Sequence, residues 1–427
     1  MTNDCADSFA DLTCPQTGNS LRLEPIAGTD AGLLIGGGIP YPMIHGIPRL
    51  IDDGARKALV ALLRIGDLDR ASAIALSWPD RALGNRVRRK AGTALLRVAP
   101  GHPAVQRLAS ALSTGRSLRD DHASVEAMLR HLRSGLFADW ILHRFSARTF
   151  RPLMALSRLV RPGDRVLDVG GGFGHGAWTL SNHVAPDRIT LVDSVFSHLH
   201  VARKRMVPGI RAVAADVNQG LPFVGPAFDT IVMSDTFHFV PDPHRLAAEV
   251  DRLLTADGRL ILSQLHNGLI PAEYAGHPRS PAGYLDLFPN LNPVMLDNAD
   301  ILQTLRTGAP LAIRRPFDLD TLAHTAEISL VADRTGDLTA DYPDPNLSCR
   351  NPRIASILSN GPDGRLRSRD DLGPVLSAFI DWPDAETLGD ATRDDLYRAI
   401  QSGGEALKTA WRAGLVVDTP PDYFDQG

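Results

Sequence analysis

An apolar strand pattern that runs directly into a glycine-rich turn is the feature that most constrains this fold. The segment RVLDV (165–169) predicts a buried parallel strand, and GGGFG (170–174) follows it without a break. Glycine permits positive φ and leaves no Cβ between the backbone and a ligand. The helix pattern after the turn begins with unpaired N–H groups, which favour an anionic or polar ligand. We expect a binding site here, at the carboxyl end of a strand in an open α/β sheet.

Strand and helix patterns alternate from this turn onward, up to residue 264. The strand patterns are RVLDV, ITLVD, RAVAA, TIVMS and RLILS in chain order, and helix patterns lie between most of them. Such alternation predicts βαβ units and a parallel sheet. We therefore expect an α/β fold with a doubly wound, Rossmann-like sheet, a small N-terminal β-rich module and extra helical segments.

The composition of the sequence changes along the chain. Its 427 residues suffice for two or three domains. Short apolar runs between Gly and Pro predict a β-rich start, and Ala, Leu and Arg at helical spacing follow it. We expect a β module at 1–51, a helical linker or lid region at 52–151, the α/β domain at 152–340 with a substrate-side insertion at about 266–316, and an acidic, partly helical C-terminal extension at 341–427.

Composition excludes several classes of protein. The 45 Lys and Arg against 49 Asp and Glu give a formal net charge of −4, so the chain lacks a global positive field for nucleic acid. No apolar stretch approaches the roughly 18 residues that span a bilayer, and the first residues lack the pattern of a signal peptide. Three cysteines are too few for a disulfide framework. We expect a cytoplasmic protein with no membrane partner.

Two acidic residues narrow the chemistry of the ligand at the turn. Gly172, Gly174 and Ala177 also match a dinucleotide-binding fingerprint, which is weak evidence by itself. Asp168 lies inside the strand, where it would repel a pyrophosphate but can bind a cationic ammonium. Asp193 closes the next strand 25 residues later, where a carboxylate can accept hydrogen bonds from both hydroxyls of a ribose. Together they favour a ligand with a ribose and a cationic group over a dinucleotide.

Further motifs recur at regular positions along residues 165–264. They are VLDVGGGFG (166–174), Asp193, ADV (215–217) followed by GLPF (220–223), the segment 228–234 continued by FVPD (239–242), and the segment 253–261. This series resembles the motifs of class I S-adenosylmethionine-dependent methyltransferases, in the group that includes ubiquinone-type methyltransferases. The resemblance implies a methyltransferase sheet and a transferase activity.

The resemblance also implies S-adenosyl-L-methionine as the cofactor and a set of residues that bind it. This set is Asp168, Gly170, Gly172, Gly174, Asp193, Ser194, Asp216, Val217 and Ser234. In the family's pattern Asp193 binds the ribose and Asp216 meets the adenine amino group, with Val217 beside the ring. Two of these roles stay open, because Asp168 can instead cap the glycine loop and Asp216 can serve ordinary turn chemistry.

Substrate-side residues are predicted from their positions around the same sheet edge. His238 follows the fourth strand, where a histidine can act as general base or simply pack over the cofactor. The other candidates are Asp235 at the pocket wall, Trp140 and His143 on a helix before the first strand, and Tyr274 and Tyr284 after the fifth strand. These aromatic residues can contact substrate or simply pack. No metal is expected, because His198 and His200 do not share a helix face.

A second resemblance lies at the N-terminus. The segments LTCPQTGNSL (12–21) and YPMIHGIPRL (41–50) are similar to the small Trm112-like family of zinc-ribbon-like β modules. Metal-binding members need four thiolates or equivalent ligands. Here Cys14 alone occupies a motif position, and Cys5 does not form C-x-x-C spacing with it. We expect a Trm112-like module without zinc.

The function predicted from the sequence is transfer of a methyl group from S-adenosylmethionine to an O or N nucleophile of a small molecule. Such an enzyme would serve the biosynthesis of a specialised metabolite. One alternative is tRNA or nucleoside methylation, for which the basic run RVRRK (86–90) is the candidate contact, although we expect no nucleic-acid partner. A non-catalytic cofactor-binding scaffold and an oxidoreductase also stay open as functions. A homo-oligomer is left open.

Overall fold

The computed structural model describes residues 9–77, 118, 121–132, 136–271, 276–314, 317–338, 340–342 and 349–425. The basic run 86–90, Cys5 and Tyr274 lie outside these described residues. Within the described ranges, no helix has both the length and the apolar character that crossing a membrane requires.

One continuous sheet organises the molecule. In the described part of the chain it has eleven strands, in the order β1-β2-β3-β4-β7-β6-β5-β8-β9-β12-β10. The strands are β1 Arg22–Pro25, β2 Gly32–Gly36, β3 Ile39–Ile44, β4 Ile47–Leu50, β5 Val166–Val169, β6 Ile189–Asp193, β7 Arg211–Ala215, β8 Phe228–Ser234, β9 Leu254–His266, β10 Val294–Asp297 and β12 Glu327–Asp333. Strands β4 to β9 run parallel, and both edges are antiparallel. The predicted α/β class is confirmed.

Helices cover both faces of this sheet. They are α1 Arg56–Arg64, α2 Leu68–Ser77, α3 Val125–Leu132, α4 Leu136–Leu142, α5 Arg151–Leu156, α6 His175–Leu180, α7 Phe196–Val201, α8 Pro243–Leu253, α9 Pro281–Leu285, α10 Asn298–Thr307, α11 Leu319–Ala323, α12 Gly373–Ser377, α13 Ala385–Leu388, α14 Arg393–Ser402 and α15 Gly404–Arg412. Local signals start several of them. At α8, for example, the Asp242 carboxylate accepts the Arg245 N–H at 3.1 Å, and Pro243 occupies the first turn.

Alternation along β5 determines where its acidic residue points. All four residues of β5 are buried, as expected for a parallel strand that is covered on both faces. Leu167 and Val169 belong to the core on the side of α8, whereas Val166 belongs to the opposite core, with α5, α6 and α7. Because side chains alternate between faces, Asp168 points the same way as Val166, beneath α6.

The N-terminal strands extend the central sheet. Strand β4 pairs in parallel with β7, with Arg49 opposite Ala214 and Leu50 opposite Ala215. Asp11 adds a bidentate ion pair to Arg211, with both N–O distances 2.6 Å. The predicted β-rich start of the chain therefore packs against the edge of the α/β core.

Much of the region predicted as a substrate-side insertion completes the sheet. Within 266–316 the chain forms α9, β10 and α10, and β10 pairs antiparallel with β12 at the sheet's edge. Helix α9 begins with Ser280 as its N-cap and Pro281 in its first turn, and Asp297 caps α10. These caps are local signals that the irregular composition of the region masked.

The C-terminal part adds small two-stranded sheets besides the predicted helices. Strand β14 Pro352–Ile354 pairs with β17 Val416–Asp418, and β15 Leu358–Asn360 pairs with β16 Leu366–Ser368. A further pair joins β11 Leu311–Ala312 to β13 Asp341–Tyr342. Tyr423 near the end is buried against His175 at the start of α6, with 2.8 Å between the hydroxyl and Nε2. The extension thus packs against α6, the helix that follows the glycine-rich turn.

Candidate functional site

A cavity opens at the carboxyl ends of the parallel strands. Its volume is about 1090 Å³, and it lies where the strand order reverses between β5 and β8. Of the predicted site residues, it is lined by Asp168, Gly170, Gly172, Asp193, Ser194, Asp216, Val217, Ser234, Asp235 and Trp140. The structure therefore brings together most of the residues predicted to bind the cofactor.

The glycine-rich turn forms the floor of this cavity. Gly170 has φ of +71°, and a Cβ there would lie 2.2 Å from Cγ2 of Thr236. Gly172 has φ of +54°, and a Cβ there would have no protein atom within 4 Å in the described structure. Gly174 lies outside the cavity, starts α6 and packs against Ala202. Of these three glycines, Gly172 is the one that leaves backbone open to a ligand.

Asp168 is a buried carboxylate beside the turn. Its exposed fraction is 1%, and within the described residues its Oδ2 atom has no hydrogen-bond partner. Burial, with a smaller contribution from the nearby charge of Asp193, raises the pKa of Asp168 to about 7. An unpaired buried carboxylate is costly unless a cation or donor compensates it. The ammonium group of S-adenosylmethionine fits that requirement.

Asp193 holds the turn in place. Its Oδ2 accepts the Gly172 N–H at 3.0 Å, and its Oδ1 accepts the Val195 N–H at 2.7 Å. His198 lies beside it, with 3.9 Å between Nδ1 and Oδ1, and stacks against Phe173. A carboxylate oxygen can accept more than one hydrogen bond, so these bonds are compatible with the predicted ribose contact.

Asp216 and Val217 lie at the cavity wall after β7. The Asp216 carboxylate accepts the backbone N–H of Asn218 at 3.0 Å and its side-chain amide at 2.9 Å. Gln219 donates to the other oxygen at 3.3 Å. This is the turn chemistry that the sequence left open for Asp216, and contact with adenine stays a prediction.

The loop after β8 forms the opposite wall of the cavity. The Ser234 hydroxyl is buried and, in the described structure, unpartnered. Asp235 has φ of +56°, and its Oδ2 accepts both terminal nitrogens of Arg144, at 3.2 and 3.3 Å. The Arg144 guanidinium lies 4.5 Å from the Trp140 ring centroid. Burial raises the pKa of Asp235, and Arg144 opposes that shift.

His238 lies behind this wall, in a short 3-10 turn at Phe237–Phe239. Its exposed fraction is 1%, and neither ring nitrogen has a hydrogen-bond partner among the described residues. Burial, with a smaller effect of His266, lowers the pKa of His238 to about 3. Its ring does not line the cavity. The base role predicted for His238 therefore gains no support from its position.

Several cavity residues were not predicted from the sequence. They include Arg144, Arg148, His266, Glu327, Val375, Leu376, Ala378 and Phe379. His266 ends β9, and that position after the fifth parallel strand is the signal that could have identified it. Arg148 and Glu327 form an ion pair of 3.2 Å at the cavity wall. Burial raises the pKa of Glu327, and Arg148 opposes the shift.

Two predicted substrate residues lie away from the cavity. His143 lies 2.8 Å, through Nδ1, from the Ser356 hydroxyl. Tyr284 is fully buried, and its hydroxyl donates to the carbonyl of His266 at 2.9 Å. Their substrate contacts stay predictions, and in this structure Tyr284 supports the end of β9.

Comparison with known proteins finds a methyltransferase similarity in the central segment. Residues 167–262 match the model of a methyltransferase domain. The 2-methyl-6-phytyl-1,4-hydroquinone methyltransferase 2 of Oryza sativa subsp. japonica is 35% identical over 95 residues, which are 22% of this chain and 27% of that protein. The ubiquinone/menaquinone biosynthesis C-methyltransferase of Teredinibacter turnerae is 33% identical over 124 residues, which are 27% of this chain and 49% of that protein.

Solved methyltransferase structures have only a low overall structural similarity to this chain. The geranyl diphosphate C-methyltransferase of Streptomyces coelicolor A3(2) has a TM-score of 0.34 at 17% identity, over 43% of this chain and 78% of that chain. The matched segment covers 27% of the Oryza sativa protein and 49% of the Teredinibacter turnerae protein, so this chain spans at most about half the length of these relatives. The match of residues 167–262 to a methyltransferase domain supports S-adenosylmethionine as the cofactor.

Proposed function

We propose that this protein transfers the methyl group of S-adenosylmethionine to an O or N nucleophile of a small molecule. The observation that carries the proposal is the buried carboxylate of Asp168, whose Oδ2 has no hydrogen-bond partner in the described structure, beside the open backbone of Gly172. Both residues line a cavity at the switch point of the sheet, where open α/β folds bind their ligands. The methyltransferase match over the same strands supports this assignment.

The residues around the turn suit each part of the cofactor. Asp168 would compensate the ammonium of its amino-acid end, and Gly172 leaves room for close approach of that end to the backbone. Asp193 would accept hydrogen bonds from the ribose hydroxyls, while the bonds that its carboxylate accepts from the Gly172 and Val195 N–H groups hold the turn. Val217 would pack beside the adenine, with Asp216 as the predicted partner of its amino group.

The remaining part of the cavity would take the acceptor. Its volume of about 1090 Å³ exceeds what one drug-sized ligand usually occupies, so a second small molecule fits beside the cofactor. Aromatic residues Trp140, Phe239 and Phe379 line this part together with the Arg148–Glu327 ion pair. Apolar walls with a few charged groups suit a small, partly apolar acceptor better than a large polymer.

Bound S-adenosylmethionine supplies a methyl group on a sulfonium, so its carbon–sulfur bond breaks as the bond to the acceptor forms, with S-adenosylhomocysteine and a proton as the other products. The protein's own contribution is to align the acceptor with the methyl group and to exclude water. Trp140, held against Arg144 by their 4.5 Å contact, covers one side of the cavity. Asp235, which lines the cavity after β8, would face the acceptor, as predicted from the sequence.

A carbon acceptor is a second candidate. The two curated relatives described above are named as a hydroquinone methyltransferase and a ubiquinone/menaquinone C-methyltransferase. A quinol ring is flat and largely apolar, and the aromatic side chains of the cavity wall could stack on it. Methylation of tRNA has no supporting contact in the described structure, which does not include the basic run 86–90.

The first test is calorimetric titration of the purified full-length protein with S-adenosylmethionine and S-adenosylhomocysteine. We expect binding of one equivalent, weakened at least tenfold in Asp193→Ala and unchanged in Asp187→Ala, an exposed acid before the same strand. Absence of binding to the wild type, or equal binding by both variants, would refute the proposal. Methyl transfer from labelled cofactor to panels of phenols, amines and hydroquinones then distinguishes the acceptor atoms.

A further inference from the structure

We propose that Asp235, His238 and His266 form a binding site for a divalent transition-metal ion at the acceptor end of the cavity. The three residues come from the loop after β8, the short turn Phe237–Phe239 and the end of β9. Ion binding is a property of these side chains and does not depend on the cofactor, whereas the role of the ion toward the acceptor rests on the proposed function.

The geometry of the three side chains is close to that of a metal site. One ligand atom from each residue lies within 4.8 Å of the other two, and Nε2 of His238 is 3.7 Å from Oδ1 of Asp235. Bonds of about 2.0–2.2 Å to a central ion would place the ligand atoms roughly 3–4 Å apart. Small rotations of the imidazole rings, whose centroids are 4.3 Å apart, would close the remaining difference.

His238 supplies the observation that points to a ligand. Its side chain is essentially fully buried, yet both ring nitrogens are without a hydrogen-bond partner among the described residues. Buried polar atoms nearly always have a partner, so this pair of nitrogens requires one. A neutral imidazole is a common metal ligand, and an ion between His238, His266 and Asp235 would provide the missing partner.

The backbone around the cluster is held in position by specific contacts. Asp235 adopts φ of +56°, which costs a non-glycine residue energy, and its N–H donates to the carbonyl of Ser263 at 2.9 Å. The carbonyls of His238 and His266 accept hydrogen bonds from the His277 N–H at 2.6 Å and the Tyr284 hydroxyl at 2.9 Å. Such anchoring limits the conformational entropy that ion binding would cost.

The donor set determines the class of ion. Two imidazoles and one carboxylate favour first-row ions such as Zn²⁺, Fe²⁺ or Co²⁺ over Mg²⁺ and Ca²⁺, which prefer oxygen ligands. Three protein ligands leave coordination positions for an atom of the acceptor, since His266 and Asp235 line the cavity. Arg144 partly neutralises Asp235 through its 3.2 Å ion pair, so we expect weaker binding than in a structural zinc site.

An ion in this position would act on the acceptor. It would bind an oxygen or nitrogen of the acceptor and lower the pKa of the proton on that atom. The proton would leave to water at the mouth of the cavity, and the deprotonated atom would be the nucleophile. This role differs from that of a histidine base, because both histidines would remain bound to the ion.

Titration of metal-free, untagged full-length protein with Co²⁺, followed by visible absorption, tests the proposal. We expect one equivalent of Co²⁺ to bind and Zn²⁺ to displace it. His238→Gln and His266→Gln should each weaken Co²⁺ binding at least tenfold. His143→Gln and His183→Gln are matched controls, because these partly buried histidines bond to Ser356 and Ser157 away from the cluster, and they should bind as the wild type does.

Failure of the wild type to bind Co²⁺ with an equivalence point, or equal binding by wild type and the two cluster variants, would overturn the proposal. Circular dichroism confirms that each variant is folded, and Asp235→Asn, which is close in size to the native residue, provides a third test if a histidine variant is not. Cofactor titration is measured separately. Loss of cofactor binding with intact Co²⁺ binding would contradict the proposed function alone.

Discussion

At the residue scale, burial of the Asp168 carboxylate lowers the stability of the fold and also leaves this group available to a cationic ligand. Burial beneath α6 and the charge of Asp193 raise its pKa from 3.8 to about 7. A raised carboxyl pKa means that ionisation favours the unfolded chain, so stability is lost as the pH rises from about 4 to about 7. The same ionised group is the one that would compensate a cationic ligand.

We predict that Asp168→Asn removes this loss of stability. The free energy of unfolding of the variant should exceed that of the wild type increasingly from pH 4 to pH 7, by at most about 4 kcal/mol. At pH 8 the variant should nevertheless bind S-adenosylmethionine more weakly, because the compensating charge is gone. Urea unfolding across pH and calorimetry at pH 8 measure the two effects.

Asp187→Asn is the control for this pair of measurements, since Asp187 is exposed and belongs to the turn before β6. A stability difference between wild type and Asp168→Asn that stays constant from pH 4 to pH 8 would contradict the assigned pKa. Unchanged affinity for the cofactor would contradict the assigned contact.

A substitution at Gly172, compared with one at a control glycine, distinguishes the effect of backbone strain on stability from the effect of a lost ligand contact on cofactor binding. Alanine there would carry the penalty of φ +54°, about 1 kcal/mol, but would touch no described protein atom. Gly163 has φ of +89° and equally open surroundings, and it lies away from the cavity. We expect Gly172→Ala and Gly163→Ala to lower the free energy of unfolding by similar amounts, and Gly172→Ala alone to weaken cofactor binding at least tenfold. Equal cofactor affinities in the two variants would show that Gly172 does not face the ligand.

At the scale of elements, local signals predicted some boundaries and missed others. The strands β5 to β9 were predicted because buried parallel strands appear as continuous apolar runs. Strand β10 and helix α10 were hidden in a segment rich in Pro, Asn and Gly, although Asp297 caps α10 by accepting the Ala299 N–H at 2.7 Å. Unlike β5, the short strand β10 is flanked by Pro and Asn residues and not by a glycine-rich turn and a helix pattern, and pairing with β12 is what stabilises it.

One of the contacts between α6 and the C-terminal segment is made by the Tyr423 hydroxyl group. The Tyr423 hydroxyl lies 2.8 Å from Nε2 of His175 and donates to the carbonyl of Ile141 at 3.0 Å. Tyr423→Phe would leave a buried nitrogen and a carbonyl unpaired, so we expect a loss of about 1–3 kcal/mol in the free energy of unfolding. Urea denaturation measures it, with Tyr397→Phe on the exposed side of α14 as the control. A loss below about 0.5 kcal/mol would mean that water replaces these bonds.

At the scale of the whole molecule, the C-terminal extension is part of the folded core. Residues within 375–379 line the cavity, and Trp178 of α6 donates to the carbonyl of Asp418 at 3.0 Å. Arg151 of α5 and Asp381 form a buried ion pair of 2.8 Å. These contacts join the extension to the helices that cover the cofactor side of the sheet.

We predict that a chain ending at residue 348 does not bind the cofactor. Truncation would expose the apolar face around Trp178 and remove Asp381, the ion-pair partner of Arg151. The full chain should unfold in one thermal transition, and the truncated chain should lack a cooperative transition in calorimetry. Cofactor binding by the truncated chain at the affinity of the full chain would show that the extension is a separate unit.

The sequence by itself determined the α/β class, the glycine-rich turn and the acids at its edge, because these depend on neighbouring residues. Alternation along β5 places Asp168, and Asp193 ends the next strand, whichever other segments pack against them. Only the tertiary structure decided that β4 joins β7, that Tyr423 reaches His175 across 248 positions, and that Asp235, His238 and His266 converge. Such contacts depend on the shapes of packed surfaces that are distant in the chain, and local patterns do not encode which surfaces meet.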